Sequence, residues 1–336
     1  MAEGPPLSQL GPLWGRGWRP VAIAALTGAV VFTAGTGVES LIISALHGDR
    51  QRLEWISDVV LSIGFATMTY LWLHLHAARR RLSDLERRRI ALDEQLRLAA
   101  EIQRSLLPEI PPATRGYRWA ARMVPASEVG GDFYDFVRAA DGAVLAVVGD
   151  VSGKGMPAAL MQSSLKSLFR LVARDSQDPA AIATRMSQAL YEQTAGLPYA
   201  TAIVARFDAS PPRLAFTNAG HPAGVLLRRN GGARSLGSGG MPLGLRPEAS
   251  YEQEEVRLAP GDLGVLVTDG ITEALEGASL TVADVLLETP DLVGGSPPAE
   301  ICDSLLRTAG AAPGPVGVEG WRDDRTVLVF RVAAEA

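Results

Sequence analysis

The sequence predicts an α+β layered domain carried behind an apolar N-terminal region and a long linking helix. Three observations support that expectation. Two stretches near the N-terminus are apolar over membrane-spanning lengths. The run Arg79–Leu107 has neither glycine nor proline and is dense in Arg, Leu, Glu and Ala. From Tyr117 onward, β-type segments surround a central helical run, the pattern of sheets layered with helices. The 336 residues suit about two units, and 47% of them are hydrophobic, enough for a large core.

In chain order, residues 1–78 come first. Val21 to Leu46 is mostly apolar, interrupted by Glu39, and about 58–78 is a second apolar stretch. At about 1.5 Å per residue, 20 helical residues cross roughly 30 Å of hydrocarbon. Trp14, Trp18, Trp55, Tyr70 and Trp72 fall where the membrane interfaces should lie. Two transmembrane helices, about 21–46 and 58–78, are therefore expected, with Glu39 at the outer end of the first and a short outer loop around His47–Ile56. The first stretch is too long for a cleaved signal peptide, and a second follows it closely. Six arginines, Arg79, Arg80, Arg81, Arg87, Arg88 and Arg89, follow the second span. The positive-inside rule then places both termini in the cytoplasm of a multi-pass inner-membrane protein. The alternative is a buried helical hairpin, which the arginine asymmetry and the aromatic belts count against.

Residues 79–107 read as one helix. Leu85, Leu92, Ala99 and Leu106 recur every seven residues, with Leu82, Arg89, Leu96 and Gln103 as the partner set. Such a seam suits a parallel coiled coil, hence a homodimer. It also suits a helix packed on its own domain, and both can hold at different ends. Pro108, Pro111 and Pro112 stop it.

Within 108–336, strands are expected at Tyr117–Met123, Ala143–Val148, Ala200–Phe207, Arg213–Thr217, Gly224–Arg228, Glu252–Leu258, Gly264–Thr268 and Thr326–Val332. Helices are expected at Pro157–Ala173 and Pro179–Gln193, each with proline near its start, and at Pro298–Thr308. Cys302, the only cysteine, permits no intrachain disulfide and reads as packing rather than as a nucleophile. The formal charge of -5 argues against nucleic acid as a partner, since a DNA binder usually shows a basic face.

Four acidic blocks carry the chemistry. They are Gly130-Gly131-Asp132-Phe133-Tyr134-Asp135, Gly149-Asp150-Val151-Ser152-Gly153-Lys154-Gly155, Thr268-Asp269-Gly270 and Asp323-Asp324-Arg325-Thr326. The last three each abut a strand-like stretch. Carboxylates at strand ends, flanked by glycine, can converge oxygen ligands on a hard cation such as Mg²⁺ or Mn²⁺. The second block is not a phosphate loop. Its Gly149-to-Gly153 spacing is one residue short, and Gly155 stands where Ser or Thr is needed. The first block lacks the acidic-aromatic pair of a cyclic-dinucleotide synthase signature.

The order GGDFYD, GDVSGKG, NAGHP, TDGITEA, DDRT resembles the PPM family of metal-dependent serine/threonine phosphatases, closest to its bacterial SpoIIE/RsbU-like branch. The likeness covers about residues 98–333. It implies a β-sandwich flanked by helix pairs and two divalent ions, Mn²⁺ or Mg²⁺. Carried over residue by residue, Asp150 bridges the ions with the Val151 carbonyl on one of them. Asp269 and Asp323 complete the other site, and Asp132 acts through bound water. Asp323 is favoured over Asp324 because the family places its ligand first in that pair. Asp135 and Asp324 stand either as supports of the ligands or as turn caps. Lys154 is either a phosphate contact or a solvated loop lysine. His221, in Asn218-Ala219-Gly220-His221-Pro222, is read as a turn residue in preference to a general acid. The usual Phe-Gly segment is missing over Glu276–Glu300, where Val293–Pro298 reads as a variable loop. The implied function is a membrane-anchored protein serine/threonine phosphatase acting on a phosphorylated STAS-type anti-anti-sigma protein. A catalytically inactive membrane-bound scaffold and a hydrolase of small phosphorylated molecules are the competing readings.

Overall fold

The computed structural model describes residues 50–111, 116–237, 239–289, 294–311 and 323–333. The chain divides into two units, Met1–Asp93 and Glu94–Ala336. Helix α1 (Arg50–Ser105) runs through the boundary.

In the first unit, α1 carries the second apolar stretch. Val60, Leu61, Ile63, Met68, Leu71 and Trp72 are all exposed. Among the described residues, 57–105 is the one helix long and apolar enough to cross a membrane. Two expectations change here. The segment read as the end of an outer loop is already helical from Arg50, and no break separates the apolar stretch from the arginine-rich one. Residues 79–107 are therefore a continuation, not a separate element, because nothing in that run interrupts helical hydrogen bonding. The first apolar stretch, 21–46, lies outside the described residues.

The second unit is a sandwich of two antiparallel sheets covered by helices on both outer faces. Its elements are β1 (Tyr117–Val124), β2 (Phe133–Arg138), β3 (Val144–Val151), α2 (Met156–Asp175), α3 (Pro179–Thr194), β4 (Ala200–Ala209) and β5 (Pro212–Ala219). Then follow β6 (Gly224–Leu227), β7 (Ala233–Leu236), β8 (Glu254–Arg257), β9 (Leu263–Val267), α4 (Asp269–Gly277), α5 (Val282–Leu287), α6 (Pro298–Ala311) and β10 (Arg325–Val332). One sheet runs β1-β10-β9-β6-β7 and the other β2-β3-β4-β5-β8.

Strand alternation builds three cores. Trp119, Leu328 and Phe330 of the first sheet meet Ile203, Phe207 and Phe216 of the second between the sheets. The Trp119 and Phe207 rings stand 4.6 Å apart, edge to face. Val147, Val204 and Phe133 pack outward on Leu165, Phe169 and Met186 of α2 and α3. Val265, Val327 and Val329 pack outward on Ile271, Leu275 and Leu305 of α4 and α6. Cys302 lies fully buried in that third core, and burial pushes its thiol up to about 12. It packs, as expected.

The β2 strand, the β7 strand and helices α4 and α5 were not anticipated. Both faces of β2 are covered at its start, so its sequence shows no alternation. The two helices are only 9 and 6 residues long, too short for a periodicity signal. Local capping holds α5 and α3 in place. Asp178 accepts from Ala180 and Ala181 at the start of α3, and Thr281 and Asp284 form a reciprocal capping box on α5.

Candidate metal centre

The four acidic blocks meet at one end of the sandwich. Asp150 is the penultimate residue of β3, and Asp269 is the first residue of α4, directly after β9. Asp323 and Asp324 lead into β10, and Asp132 leads into β2. Antiparallel pairing of β10 with β9 brings the last two blocks side by side, although Asp323 lies 54 positions after Asp269.

Asp132 is the centre of the arrangement. It is 1% exposed. Its Oδ2 accepts hydrogen bonds from the Thr268 and Thr326 hydroxyls at 2.8 and 2.7 Å. Its buried Oδ1 has no hydrogen-bond partner. A buried carboxylate oxygen without a donor is costly and calls for a cation or an ordered water. Burial first, then the Asp150 charge, raises the Asp132 carboxyl well above the usual range. Asp150 is pushed up to about 7 by burial, then by Asp269, Asp323 and Asp324. Burial and the Asp323 charge likewise raise Asp269. These groups repel one another as they stand, and like charges at close range disfavour ionisation.

Backbone packing makes the cluster this tight. A Cβ on Gly270 would lie 2.0 Å from the Asp324 carbonyl oxygen. One on Gly131 would lie 2.9 Å from the Val151 carbonyl oxygen and 3.0 Å from an Asp150 oxygen. Gly153 and Gly155 adopt positive φ of 106° and 72° in the loop that follows Asp150, a conformation costly for residues with a Cβ.

The remaining candidates sort themselves by contact. Asp324 is held by backbone donors, Ala126 N at 2.8 Å and Gly131 N at 2.6 Å. It ties the Asp132 block to β10, which leaves Asp323 as the more available member of the pair. Lys154 donates to Asp323 at 2.9 Å, so its ammonium partners a candidate ligand. Asp135 turns to α2, where Arg170 takes both of its carboxylate oxygens at 2.6 and 3.0 Å. It braces that helix instead of capping a turn. His221 is buried, and burial holds its imidazole down at about 4. Asn218 bonds its backbone N–H and carbonyl, and its Nδ1 lies 2.9 Å from the Thr201 hydroxyl. Thr201 pairs with Asp150 across β3 and β4, so His221 lies beneath the site.

Sequence reading missed Thr268, Thr326 and Gln103. The two threonines were visible inside the blocks, beside Asp269 and Asp324, but nothing local tells that both point at Asp132. Gln103 donates from Nε2 to the Gly130 carbonyl at 2.7 Å and accepts from the Gly130 N–H at 3.2 Å. Lys166 of α2 donates to the Leu106 carbonyl at 2.6 Å, and Ala100 packs on Val129 and Ala159. The last turns of α1 thus pack on the same unit that holds the carboxylates.

Among the described residues, no three acidic, histidine or cysteine side chains already stand in an array that closes on an ion. The donor chemistry nevertheless fits hard divalent cations: all oxygen, glycine-flanked, mutually repelling, with one bare buried carboxylate oxygen.

Comparison with known proteins gives a consistent picture. The profile of the family described as Stage II sporulation protein E (SpoIIE) matches residues 140–333. The chain is 27% identical over 202 residues to phosphoserine phosphatase RsbU of Bacillus subtilis, covering 60% of this chain and 58% of that protein. It is 25% identical over 216 residues to phosphoserine phosphatase RsbP of the same organism, covering 63% and 52%. The chain therefore spans about half the length of these curated relatives. Among solved structures, the SiaA-PP2C domain of Pseudomonas aeruginosa superposes with a TM-score of 0.61 at 28% identity, over 72% of this chain and 98% of that one.

Proposed function

Because the chain belongs to the SpoIIE family, we propose that it is a metal-dependent protein serine/threonine phosphatase. Its substrate is a phosphorylated STAS-type regulatory protein, and its output is control of sigma-factor partner switching. The observation that carries the catalytic reading is Asp132, with one oxygen gripped by two threonine hydroxyls and the other bare among acids that raise each other's pKa. Relatives described as phosphoserine phosphatases support it.

Asp150 would hold both ions, with the Val151 carbonyl on one and Asp269 and Asp323 on the other, and Asp132 acting through water. When bound, two Mn²⁺ or Mg²⁺ ions supply an acidified water and offset charge on the phosphoryl oxygens. The chain's own part is to place oxygens and to keep them there. Thr268 and Thr326 fix the Asp132 rotamer, Asp324 pins the Gly131 backbone, and Lys154 holds Asp323. No side-chain nucleophile is required, and Cys302 is buried in the third core.

The exposed apolar face of α1 from Val60 to Leu75, followed by the arginine cluster, supports a membrane anchor with the phosphatase on the cytoplasmic side. Leu85 and Leu92 are exposed, whereas Leu96 packs against Ala100, Val129 and Ala159 and Gln103 bonds Gly130. The heptad thus divides into a seam for pairing with a second copy and a docking end.

The test is the detergent-solubilised full chain, Mn²⁺ and a panel of phosphorylated STAS proteins. Phosphate release should stop reversibly in EDTA. In Asp150→Asn and Asp269→Asn it should fall about 10³-fold or more, the scale of lost electrostatic stabilisation, with melting curves still cooperative. Light scattering of the same sample should give two protomers. Near-normal turnover in either variant would sink the metal mechanism, and a monomer would reduce α1 to a tether.

A further inference from the structure

The opposite end of strand β10 carries a second, unrelated site. A cavity of about 530 Å³ opens there. It lies about 23 Å along the strand from Asp324, seven residues at roughly 3.3 Å each. Four arginines line it, Arg118, Arg228, Arg229 and Arg331, and its described lining includes no carboxylate. We propose that this cavity binds a phosphate group carried on a partly apolar small molecule, independently of the phosphatase centre.

The placement of the arginines is the argument. Arg118 and Arg331 are directly opposed partners in the β1–β10 ladder. They lie on the outward face, since their neighbours Tyr117, Trp119, Phe330 and Val332 fill the inter-sheet core. Like charges directly opposite on a sheet are destabilising. Arg331 is also half-buried, and burial together with the Arg118 charge lowers its pKa. Arg228 and Arg229 follow the end of β6. Asp262, close to the pair, is 1% exposed. It is taken up by Arg228 at 2.7 Å and by the backbone N–H groups of Arg229 and Ala259. Asp262 therefore fixes the Arg228–Arg229 pair in position.

The arrangement is held in place at several points. Arg331 donates to the Ser296 carbonyl at 3.3 Å, and Arg228 to the Arg257 carbonyl at 2.7 Å. Gly261, at φ 92°, lets the Arg229 stem lie across the turn, where a Cβ would come within 3.0 Å of its Cδ. Guanidinium forks match phosphate oxygens in pairs. Leu286 and Leu287 at the end of α5 supply an apolar wall. The volume is that of a small-molecule site, and several cations around one cavity suit a multiply charged anion.

The phosphate could arrive on a free metabolite or on a lipid headgroup, and the probes separate these. Calorimetry of the full chain in detergent, with EDTA to keep anions off the carboxylate centre, would use inorganic pyrophosphate, ADP and short-chain phosphatidylglycerol. At least one should bind with a sub-millimolar Kd that weakens with added salt. A preference for ADP over pyrophosphate assigns the leucine wall to a base, and a preference for the lipid assigns the site to headgroups. Arg118→Gln and Arg331→Gln should each weaken binding about tenfold, the scale of one charged hydrogen bond. The exposed Arg229→Gln serves as a second variant should Arg331→Gln fold poorly. Phosphatase activity without the probe should be unchanged in Arg118→Gln. Absence of binding by all three probes at about 10 mM, or equal binding to wild type and to Arg118→Gln and Arg229→Gln, would overturn the proposal. Because binding is read without divalent ions, its failure says nothing against the phosphatase reading, and loss of the phosphatase reading would leave it standing.

Discussion

Strand β10 begins at an acidic pole and ends at a basic one, and the two are built in different ways. At the acidic pole the charges sit on short side chains, and their positions are set by backbone: Gly270 against the Asp324 carbonyl, Gly131 against Val151 and Asp150. At the basic pole the charges sit on long side chains that reach a shared cavity from strand ends and turns. Short, backbone-held groups allow sub-ångström placement, as an ion or an in-line reaction demands. Long, solvated groups tolerate adjustment, which suffices to hold an anion. The same fold thus offers one pole that is rigid and intolerant and one that is adaptable.

The strongest way to break that comparison is a matched pair of alanines. At Gly270→Ala the new Cβ meets a backbone oxygen 2.0 Å away. The clash cannot be relieved by a rotamer change, so about 3 kcal/mol or more of stability should be lost, together with Mn²⁺-dependent activity. At Gly261→Ala the Cβ meets the aliphatic stem of the flexible Arg229 side chain, so the cost should be about 1–2 kcal/mol from backbone strain, with activity retained. Denaturant titration of both proteins decides it. Equal losses would mean that the poles do not differ in rigidity.

A smaller effect follows from charge. Folded Asp150 titrates at about 7, whereas an unfolded aspartate titrates near ~4. Between those values the folded chain holds a proton that the unfolded chain lacks. Stability is then fully present below the unfolded value and is lost as pH rises through about 7. In EDTA the melting temperature should fall by several degrees between about pH 5.5 and 8, on the order of a few kcal/mol. Adding Mn²⁺ at the higher pH should restore it. A flat profile in EDTA would show that the carboxylates are not strained against one another.

The smallest expected effect sharpens the role of the threonines. Thr326→Val removes one of two donors to Asp132 Oδ2 and should cost about 1–2 kcal/mol of stability. It should lower kcat about tenfold, with KM for the phosphoprotein nearly unchanged, since the residue acts through Asp132. Thr268→Val should behave alike. The double variant should lose more than the sum of the singles, because Oδ2 is then left without a donor. An additive pair with unaltered kcat would reduce the threonines to packing.

Most long elements were readable from residues alone. The strand at Tyr117–Val124, the helices α2 and α3 and the final strand fall within one to three residues of expectation, since periodicity, proline at helix starts and β-branched runs are local signals. The elements hidden from that reading were those whose neighbours come from elsewhere. The β2 strand lies within the GGDFYD block, and its Asp135 makes sense only once α2 presents Arg170 to it.

The site divides along the same line. Sequence alone showed four acidic blocks, three of them carrying glycine and three abutting strand-like stretches, and block order was enough to name a family resemblance. It also pointed to Cys302 as a packing group, and the structure buries it in the third core. Only the tertiary structure decided which oxygen of Asp132 is held and which is bare. That choice depends on Thr268 and Thr326, 136 and 194 positions away, meeting through the β9–β10 register. Only the tertiary structure showed Asp324 accepting from the Ala126 and Gly131 backbone or set Arg118 opposite Arg331. Residue type and local spacing are written along the chain. The pairing of distant strands is a long-range property, set by burial on both faces of each sheet, and it determines which polar atoms are left facing one another.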